Sequence, residues 1–273
     1  MTGTDTEAIA AHARQMRRDI VQMVADAGSG HPGGSLSAAE IVSTLYFGVM
    51  RHRPDDPAWE GRDRFVLSKG HAAPVLYSAL AEAGYFDRDH LSTLRKLGSI
   101  LQGHPDMHKV PGVEVSTGSL GQGLALANGM ALALRLKGNT DSRVYCLLGD
   151  GELQEGEVWE AAMLAAHYDL GNVIAIIDHN GLQIDGPTSD VMDLREVGDK
   201  FSAFGWLVIG CDGHDVDSLL EAFDKAARHG DGPVAIVAQT VKGKGVSFME
   251  GNCDWHGKAP SAEQCAAALE ELA

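Results

Sequence analysis

The feature that most constrains this fold is a pair of short apolar runs, at 144–148 and 173–177, separated by a segment rich in alanine and glutamate. Runs of this length predict buried β-strands, and the segment between them predicts a helix. A strand–helix–strand crossover is right-handed and makes its two strands parallel, so both strands end at the same edge of the sheet. We therefore expect Asp150 and Asn180, which lie just beyond the two runs, to meet at the edge where open α/β sheets bind ligands.

The rest of the chain repeats this alternation of strands and helices. Further strands are predicted at 64–67, 206–209 and 234–239, and helices at 6–27, 38–50, 124–136, 218–228 and 261–273, with one more around Leu76 and Leu80. The alternation predicts an α/β fold with a doubly wound, mostly parallel sheet of about five to six strands and helices on both faces. We expect residues 1–273 to form a single domain. The pairs Ser37/Glu40 and Ser261/Gln264 predict capping boxes at the starts of two helices.

Charge and composition exclude several classes of protein. The net charge of −16, from 22 basic and 38 acidic residues, argues against nucleic-acid binding, which needs a basic face. No apolar run reaches the ~18 residues of a membrane span, and the N-terminal stretch 1–15 lacks the apolar core of a signal peptide. The four cysteines form no CxxC pair. We therefore expect a reduced, cytoplasmic protein without membrane contact.

The two residues at the predicted sheet edge are chemically suited to one kind of ligand. Asp150 offers a carboxylate and Asn180 an amide oxygen, and hard oxygen donors of this kind are what Mg²⁺ prefers, with phosphate and water completing its shell. We expect Gly151 to open the following helix, so that free backbone N–H groups and the positive helix end face the same point. The sequence therefore predicts a site for a metal-bridged diphosphate.

Four of the twelve histidines lie beside glycine in turn-like segments: His31, His71, His104 and His256. Such a histidine presents its ring in a loop, where functional residues concentrate. Any one of them is most simply explained as a polar turn residue. Four such histidines together indicate a functional site, because two of them lie at the predicted carboxyl edge of the sheet or at the start of a helix. At an ordinary pKa of ~6.5 their rings would suit proton transfer at neutral pH.

These motifs together resemble the transketolase family. The matching stretches are GDG at 149–151 followed by Asn180, SGHPGG at 29–34, KGH at 69–71, GHP at 103–105, GSLGQG at 118–123 and DWHGKAP at 254–260. The resemblance covers nearly the whole chain, from about His12 to Pro260, and points to the N-terminal domain that binds the diphosphate of thiamine diphosphate (ThDP). It implies ThDP and Mg²⁺, or Ca²⁺ or Mn²⁺ in its place, as cofactors.

The resemblance also assigns roles to individual residues. It implies that His31 and His104 contact the donor substrate, that His71 lies by the diphosphate, and that His256 contacts both. It implies a metal site formed by Asp150, Asn180 and the carbonyl oxygen of Leu182. Cofactor contacts are implied for Gly118, Ser119, Leu120, Gly151 and Glu152, although most relatives have proline where this chain has Ser119. Glu155 and Glu160 resemble acidic residues at the family's dimer interface. We expect His31, His104, His256 and Glu155 to be the catalytic residues.

The implied activity is transfer of a two-carbon ketol (glycolaldehyde) unit from a ketose phosphate to an aldose. In this family a glutamate from a second domain activates the cofactor, and residues 1–273 hold no such domain. We therefore expect this chain to work with a complementary C-terminal subunit, as an α2β2 assembly with the site between chains. Ordinary pentose phosphates, branched sugar phosphates and sulfonated sugars are all candidate substrates.

Several alternatives stay open at this stage. An α-type subunit of a ThDP-dependent 2-oxo acid dehydrogenase or lyase would share GDG and Asn180, but not be expected to carry both HPGG and GHP. A relic that binds without turnover is a second possibility. A non-catalytic nucleotide-binding module would use the GxGxxG pattern of 28–33, which a helix precedes where a strand is needed. Minor patterns are an HxDxH cluster at 104–108, which could hold Zn²⁺, and the lysine–glycine loop 242–245.

Overall fold

A five-stranded, all-parallel β-sheet forms the centre of the computed structural model, which describes residues 5–273. Its strands are β1 (Arg64–Leu67), β2 (Val144–Gly149), β3 (Val173–His179), β4 (Leu207–Asp212) and β5 (Val234–Gln239). They lie in the order β1-β2-β3-β5-β4. The predicted α/β fold with a parallel sheet is confirmed. Residues 1–4, which belong to the stretch examined for a signal peptide, lie outside the described residues.

Helices cover both faces of this sheet. Within residues 5–273 the α-helices are α1 (Thr6–Ala27), α2 (Pro32–Leu36), α3 (Ala39–Thr44), α4 (Ala73–Ala83), α5 (Gln122–Leu136), α6 (Gly156–His167), α7 (Thr188–Met192), α8 (Val197–Ala203), α9 (Val216–Arg228) and α10 (Ala262–Glu271). Single π or 3₁₀ turns span Leu45–Val49, Gly70–Ala72, Arg88–Thr93, Gly151–Gln154 and Cys253–His256.

Two apolar cores lie on opposite faces of the sheet because successive strand residues point to opposite sides. Leu147 of β2 and Ile176 of β3 pack into one core with α1, α3, α4 and α9. Their strand neighbours Leu148 and Ile177 pack into the other core with α5, α6 and α8. Burying each such side chain stabilises the fold by about 1.5–3 kcal/mol, so the double-sided pattern fixes the strand register.

The carboxyl edge of the sheet carries the two residues predicted to meet there. Gly149 of β2 pairs in register with Asp178 of β3, which puts the chain after both strands at one edge. The carboxylate of Asp150 accepts a hydrogen bond from the amide of Gly181, the residue after Asn180, at 2.5 Å. The βαβ crossover therefore brings these two loops together as predicted.

Two local predictions were wrong. Ser37 and Glu40 form no capping box: the Ser37 hydroxyl donates to buried Asp178, and Glu40 pairs with Arg17. The N-cap of α3 is Ala38, without a side-chain cap, so tertiary partners outcompeted local capping. Gly151 opens a 3₁₀ turn, Gly151–Gln154, and α6 begins at Gly156. By contrast, the capping box of Ser261 and Gln264 is confirmed at α10.

Among residues 5–273, no helix combines the length and the apolarity that crossing a bilayer requires. All four cysteines are free thiols.

Candidate active site

A cavity of about 100 Å³ opens at the carboxyl edge of the sheet, where the loops after β1, β2 and β3 converge with the loops following α1 and β5. Its lining includes most of the residues singled out from the sequence: His71, Leu120, Asp150, Gly151, Glu152, Asn180, Leu182 and His256. It also includes Gly34, Lys69, Gly149, Gln183, Ile184 and Lys242. The convergence at the ends of parallel strands is the geometry expected of a ligand site in an open α/β sheet.

Asp150 is a buried carboxylate with only backbone partners. Its oxygens accept from the amides of Gly151 at 2.9 Å and Gly181 at 2.5 Å. Within residues 5–273 no lysine or arginine forms an ion pair with it. Burial, followed by the charge of Asp178, raises its pKa above the ordinary value for an aspartate. A desolvated negative charge of this kind would be stabilised by a bound cation.

The loop after β3 carries the other two predicted metal ligands. The Asn180 amide donates to Asp178 at 3.3 Å, which turns its oxygen the other way, where it accepts from Leu182 N at 3.1 Å. The backbone of Leu182 forms an antiparallel bridge with Pro187, and Gly181 takes φ 74° to make the turn. The position of the Leu182 carbonyl is therefore set by the backbone, as a main-chain ligand requires.

The floor of the cavity is a buried ion pair that the sequence analysis missed. Lys69, from the loop after β1, donates to fully buried Asp178 and to the carbonyl of Gly34 at 2.7 Å. Hydroxyls of Ser37 and Thr240 also donate to Asp178. Burial would raise the pKa of Asp178, but Lys69 and these hydrogen bonds outweigh it and lower that pKa. Asp178 is thus neutralised inside the protein, whereas Asp150 is not.

Glu152 ties three elements together beneath the cavity. Its carboxylate accepts from the Ser68 hydroxyl, from Gly121 N at 2.9 Å and from Gly149 N at 2.9 Å. These partners follow β1, precede α5 and end β2. Burial raises its pKa although these hydrogen bonds act in the opposite direction. Both oxygens are engaged, so Glu152 acts on the site mainly by holding these loops.

Three of the four glycine-flanked histidines form one cluster. The ring centroids of His31 and His71 are 5.3 Å apart, those of His31 and His256 are 5.5 Å apart, and those of His71 and His256 are 5.0 Å apart. Gly257 lies beside His31 and Gly34 beside His71, where an added Cβ would be 3.5 Å from the Nε2 atom of each ring. The Nδ1 of His31 is buried and has no partner among the described residues.

The surroundings of these three histidines lower their pKa values below the ~6.5 expected from the sequence. Burial, with the charge of Arg95, lowers the pKa of His31 to about 4. Burial, with the charge of Lys242, lowers the pKa of His256 to about 3. Burial, with the charge of Lys69, also lowers the pKa of His71. All three rings are therefore neutral at pH 7.

Lys242 is a second buried lysine of the cavity, which the sequence analysis treated as part of an ordinary lysine–glycine loop. It is only 2% exposed, and its ammonium group lies 2.9 Å from His256 Nδ1 and 3.4 Å from the Leu182 carbonyl oxygen. Burial, followed by the charge of Lys69, lowers its pKa to about 8. The signal available in the sequence was its place directly after a strand that ends at the same edge as β2 and β3.

His104 lies apart from the three clustered rings, on a neighbouring cavity of about 550 Å³ that it shares with Gly118 and Ser119. A Cβ at Gly118 would lie 3.1 Å from the His104 ring. Arg95, which the sequence analysis did not single out, donates to Ser29 at 2.9 Å from a left-handed backbone conformation with φ 61°. Burial, followed by the charge of Arg95, lowers the pKa of His104.

The loop with the KGH motif and the loop with the GSLGQG motif approach each other closely at Gly70 and Gly118. A Cβ at Gly70, in the KGH motif, would lie 2.7 Å from Gly118 N. Gly118 itself has φ 154°. Leu120, two residues on, lines the first cavity, so the GSLGQG segment borders both.

Glu155 and Glu160 lie outside both cavities and are exposed to solvent. Glu155 is the N-cap of α6 and packs under the turn at Gly121, where an added Cβ would lie 2.7 Å from the Cβ of Glu155. Neither carboxylate reaches the clustered histidines within the part of the chain that the structure describes.

The residues present fit a divalent cation and a diphosphate. Asp150 supplies an uncompensated carboxylate, Asn180 an amide oxygen, and Leu182 a carbonyl held by its turn, which together make a hard-oxygen donor set. Lys242 supplies positive charge in the same cavity, its ammonium 3.4 Å from the Leu182 carbonyl oxygen, whereas the charge of Lys69 is balanced by Asp178. Anionic oxygens would meet this charge directly.

The two competing patterns do not form sites of their own. Asp106 of the HxDxH stretch accepts from His108 N at 2.9 Å, and across residues 5–273 no three His, Cys, Asp or Glu side chains are arranged to hold a metal. In the GxGxxG stretch, Gly33 packs so that a Cβ would lie 2.8 Å from the carbonyl oxygen of Trp255. That stretch follows α1, not a strand.

Known proteins match this chain over nearly its whole length. Residues 6–273 match the family model described as transketolase, thiamine diphosphate binding domain. The chain is 42% identical over 266 residues to one of the subunits of the apulose-4-phosphate transketolase of Phocaeicola vulgatus, covering 97% of this chain and 94% of that one. It is 44% identical over 260 residues to a 6-deoxy-6-sulfo-D-fructose transketolase subunit of a Clostridium species, covering 95% and 94%.

Longer proteins match over the same region. Human transketolase is 45% identical over 262 residues, which are 95% of this chain and 41% of that one. The crystal structure of transketolase from Campylobacter jejuni superimposes with a TM-score of 0.92 at 36% identity, covering 97% of this chain and 43% of that one. The chain therefore spans about two fifths of these longer relatives and nearly the full length of the two subunits.

Proposed function

This chain belongs to the transketolase family, and from that premise we propose that it is the diphosphate-holding subunit of a ThDP- and Mg²⁺-dependent transketolase completed by a second chain. The observation that carries the proposal is the cavity at the carboxyl edge. There the buried carboxylate of Asp150 forms no ion pair among the described residues and shares a cavity of about 100 Å³ with the buried Lys242.

Each wall of the cavity has a role in the proposed site. Asp150, Asn180 and the Leu182 carbonyl would hold Mg²⁺, with Ca²⁺ or Mn²⁺ as substitutes. Lys242, His71 and His256 would bind the anionic diphosphate, together with the backbone around Gly151. Lys69 would act through Asp178, keeping the floor neutral. Gly118, Ser119 and Leu120 would contact the far end of the cofactor through their backbone.

When bound, ThDP supplies a nucleophilic carbon and an electron sink for breaking the bond next to a ketone. The chain's own side chains then handle protons and hydroxyls. His31 and His104 are neutral at pH 7, so each ring can both accept and donate a hydrogen bond. Held beside Arg95, they would orient the hydroxyl groups of a sugar donor, and His256 would serve both cofactor and substrate. Such positioned groups contribute to the rate by general acid–base catalysis.

Exposed apolar side chains on the rim of the cavity support the need for a partner. Ile184 and Leu120 line the first cavity and are 63% and 36% exposed, and Leu126 on the second cavity is 39% exposed. Met192, which is 61% exposed, ends α7, the helix that follows the loop after β3. A rim of this kind beside a ligand site is typical of a surface that another chain covers. We propose a complementary C-terminal subunit in an α2β2 assembly, with Glu155 and Glu160 at the contact between chains.

The proposed reaction transfers a two-carbon glycolaldehyde unit from a ketose phosphate to an aldose. The two subunit relatives are named for different sugars, one for apulose 4-phosphate and one for a sulfofructose. We propose a sugar phosphate as the substrate class here. The loops HPGG and GHP, with His31 and His104 at the site, favour this over a 2-oxo acid dehydrogenase. Four free thiols support a reducing, cytoplasmic location.

The test is reconstitution. The chain would be purified alone and together with the product of the adjoining reading frame, and each preparation assayed for ketol transfer on a panel of ketose phosphates. Calorimetry would compare ThDP with Mg²⁺ against NAD⁺. We expect activity and tight ThDP binding only from the pair. Ketol transfer by the chain alone would refute the need for a partner, and NAD⁺ binding in preference to ThDP would refute the cofactor.

A further inference from the structure

A second buried network lies behind Lys242, on the side away from the cavity. At its centre is Glu40 of α3, whose side chain is 11% exposed and receives a bidentate pair of hydrogen bonds from Arg17 of α1. The same carboxylate lies 3.0 Å from Nδ1 of His214, in the turn after β4. Burial would raise the pKa of Glu40, but His214 and Arg17 outweigh burial and lower that pKa.

Both partners of Glu40 reach the backbone of the loop that carries Lys242. Nε2 of His214 accepts a hydrogen bond from Val241 N at 2.8 Å. Nε of Arg17 donates to the Lys244 carbonyl at 3.0 Å. Glu40 therefore holds the two side chains that contact this loop, at Val241 before Lys242 and at Lys244 after it.

The hydrogen-bond pattern fixes the state of the histidine. Because Val241 N–H can only donate, His214 Nε2 must be unprotonated, and the ring proton therefore lies on Nδ1 and is donated to Glu40. A ring held in one tautomer and orientation by a carboxylate is a device that proteins use to aim the other nitrogen. Here the other nitrogen aims at backbone, beside the buried lysine.

The Lys242 loop also has supports other than these two contacts. Gly243 takes φ 78°, and its amide donates to the carbonyl of Gly33 at 3.0 Å. The carbonyl of Lys242 accepts from Gly251 N at 2.9 Å. A buried ammonium loses solvation and side-chain entropy, so its placement has to be imposed by the backbone that carries it.

We propose that Arg17, Glu40 and His214 form a clamp, referred to here as the Glu40 clamp, whose task is to position Lys242 for the diphosphate. Arg17, Glu40 and His214 act as positioning residues, since none of them lines the cavity. The link from Lys242 to the cofactor rests on the proposed function, whereas the clamp's hold on the loop does not.

Two substitutions of His214 separate the clamp from general packing. In His214→Gln the amide oxygen can reach the place of Nε2 and accept from Val241 N–H. In His214→Asn the shorter amide can reach Glu40 but not Val241. The control is His90→Gln, at an exposed histidine on the Arg88–Thr93 turn.

The first measurement is hydrogen exchange of the peptide covering 240–246 in the full chain without cofactor. We expect His214→Asn to speed exchange at Val241 roughly tenfold, as for the loss of one buried hydrogen bond. We expect His214→Gln and His90→Gln to stay near the parent rate. Equal effects of the Asn and Gln variants, or no effect of either, would overturn the clamp.

The second measurement is the dissociation constant of ThDP with Mg²⁺, with the partner chain present. We expect it to rise roughly tenfold in His214→Asn and to be restored in His214→Gln, with kcat at saturating cofactor little changed. Lys242→Met should weaken binding without faster exchange at Val241. Faster exchange with unaltered ThDP affinity would overturn the positioning role. A parent pair that binds no ThDP would instead refute the proposed function, and exchange would still decide the clamp.

Discussion

Single residues in this site differ most in how their charge is balanced. Asp150 follows β2 and Asp178 lies near the end of the neighbouring β3, and both are buried. Asp178 has Lys69 and three further donors, while Asp150 has only two backbone amides. Burial of an unpaired carboxylate is costly unless a ligand compensates it. The asymmetry therefore marks Asp150, and not Asp178, as the side chain that a metal ion would approach.

Asp150→Asn tests that distinction. The substitution removes the charge, and it also removes one acceptor for Gly151 N or Gly181 N. These two effects oppose each other, so we expect the free energy of unfolding to change by less than about 1 kcal/mol. Metal-dependent ThDP binding should weaken by about 10–100-fold, which calorimetry would measure. Asp185→Asn, at an exposed aspartate of the loop after β3, is the control. Comparable binding by the Asp150 and Asp185 variants would contradict the assignment.

The lowered pKa of His256, about 3, predicts a pH dependence of stability. The unfolded chain takes up this proton near pH ~6.5, and the folded chain only near pH 3. Its contribution to stability is therefore complete above pH ~6.5 and is lost as the pH falls toward 3. We expect the free energy of unfolding in urea to fall more steeply from pH 7 to pH 4 in the parent than in His256→Gln.

The control for this titration is His90→Gln, at an exposed ring, which should keep the parent slope. Comparing differences between variants cancels the contributions of the titrating groups that the variants share. Parallel curves for the parent and His256→Gln would show that burial of the ring does not disfavour its charged form.

Among the elements, those with strong internal periodicity were predicted with nearly correct bounds. Helix α1 has the predicted limits, and so do β1 and β5, because each has an apolar pattern matching its own period. The single helix predicted from Ala38 to Met50 was wrong in detail. Glu40 has its partner in α1 and Ser37 has its partner in β3, and no local sequence pattern reveals either contact.

The site was predictable where motif and topology agree. Asp150 and Asn180 could be brought together from the crossover alone. Lys69 and Lys242 could not, because a lysine in a polar loop is ordinarily solvated, and only the converging loops bury these two. The lowered pKa values of the histidines had the same origin, because burial by loops from distant parts of the chain is their largest cause.

At the start of α5 a single glycine sets how closely the helix approaches β1. A Cβ at Gly123 would lie 2.7 Å from Ser68 Cα, a contact that backbone must relieve by moving. We expect Gly123→Ala to lower the free energy of unfolding by about 1–3 kcal/mol, as in overpacked cores. Chemical denaturation would measure it.

Gly129, on the exposed side of the same helix, is the matched control. A Cβ there would have no neighbour within 4 Å. Gly129→Ala should therefore stabilise the chain by about 0.5–1 kcal/mol through helix propensity. If the two substitutions had effects of the same sign and size, close approach to Ser68 would not explain Gly123.

The whole molecule depends on pairings between distant parts of the chain. β1 pairs with β2, Arg64 opposite Val144, across eighty residues, and β1 has no other strand neighbour among residues 5–273. We expect a fragment of residues 1–140 to lack the cooperative urea transition of the full chain, since its strand has nothing to pair with and α1 and α4 lose their sheet. Circular dichroism would measure this, and a sharp transition in the fragment would contradict it.

The pairing of β1 with β2 also has a consequence for biosynthesis. While the ribosome is still adding the first half of the chain, the strand at 64–67 has no strand to pair with, because β2 emerges only after some eighty further codons. At about 5–20 residues per second that delay lasts several seconds, during which apolar α1, α3 and α4 surfaces are open to chaperones. Slow codons or a pause placed before residue 144 would prolong this vulnerable interval.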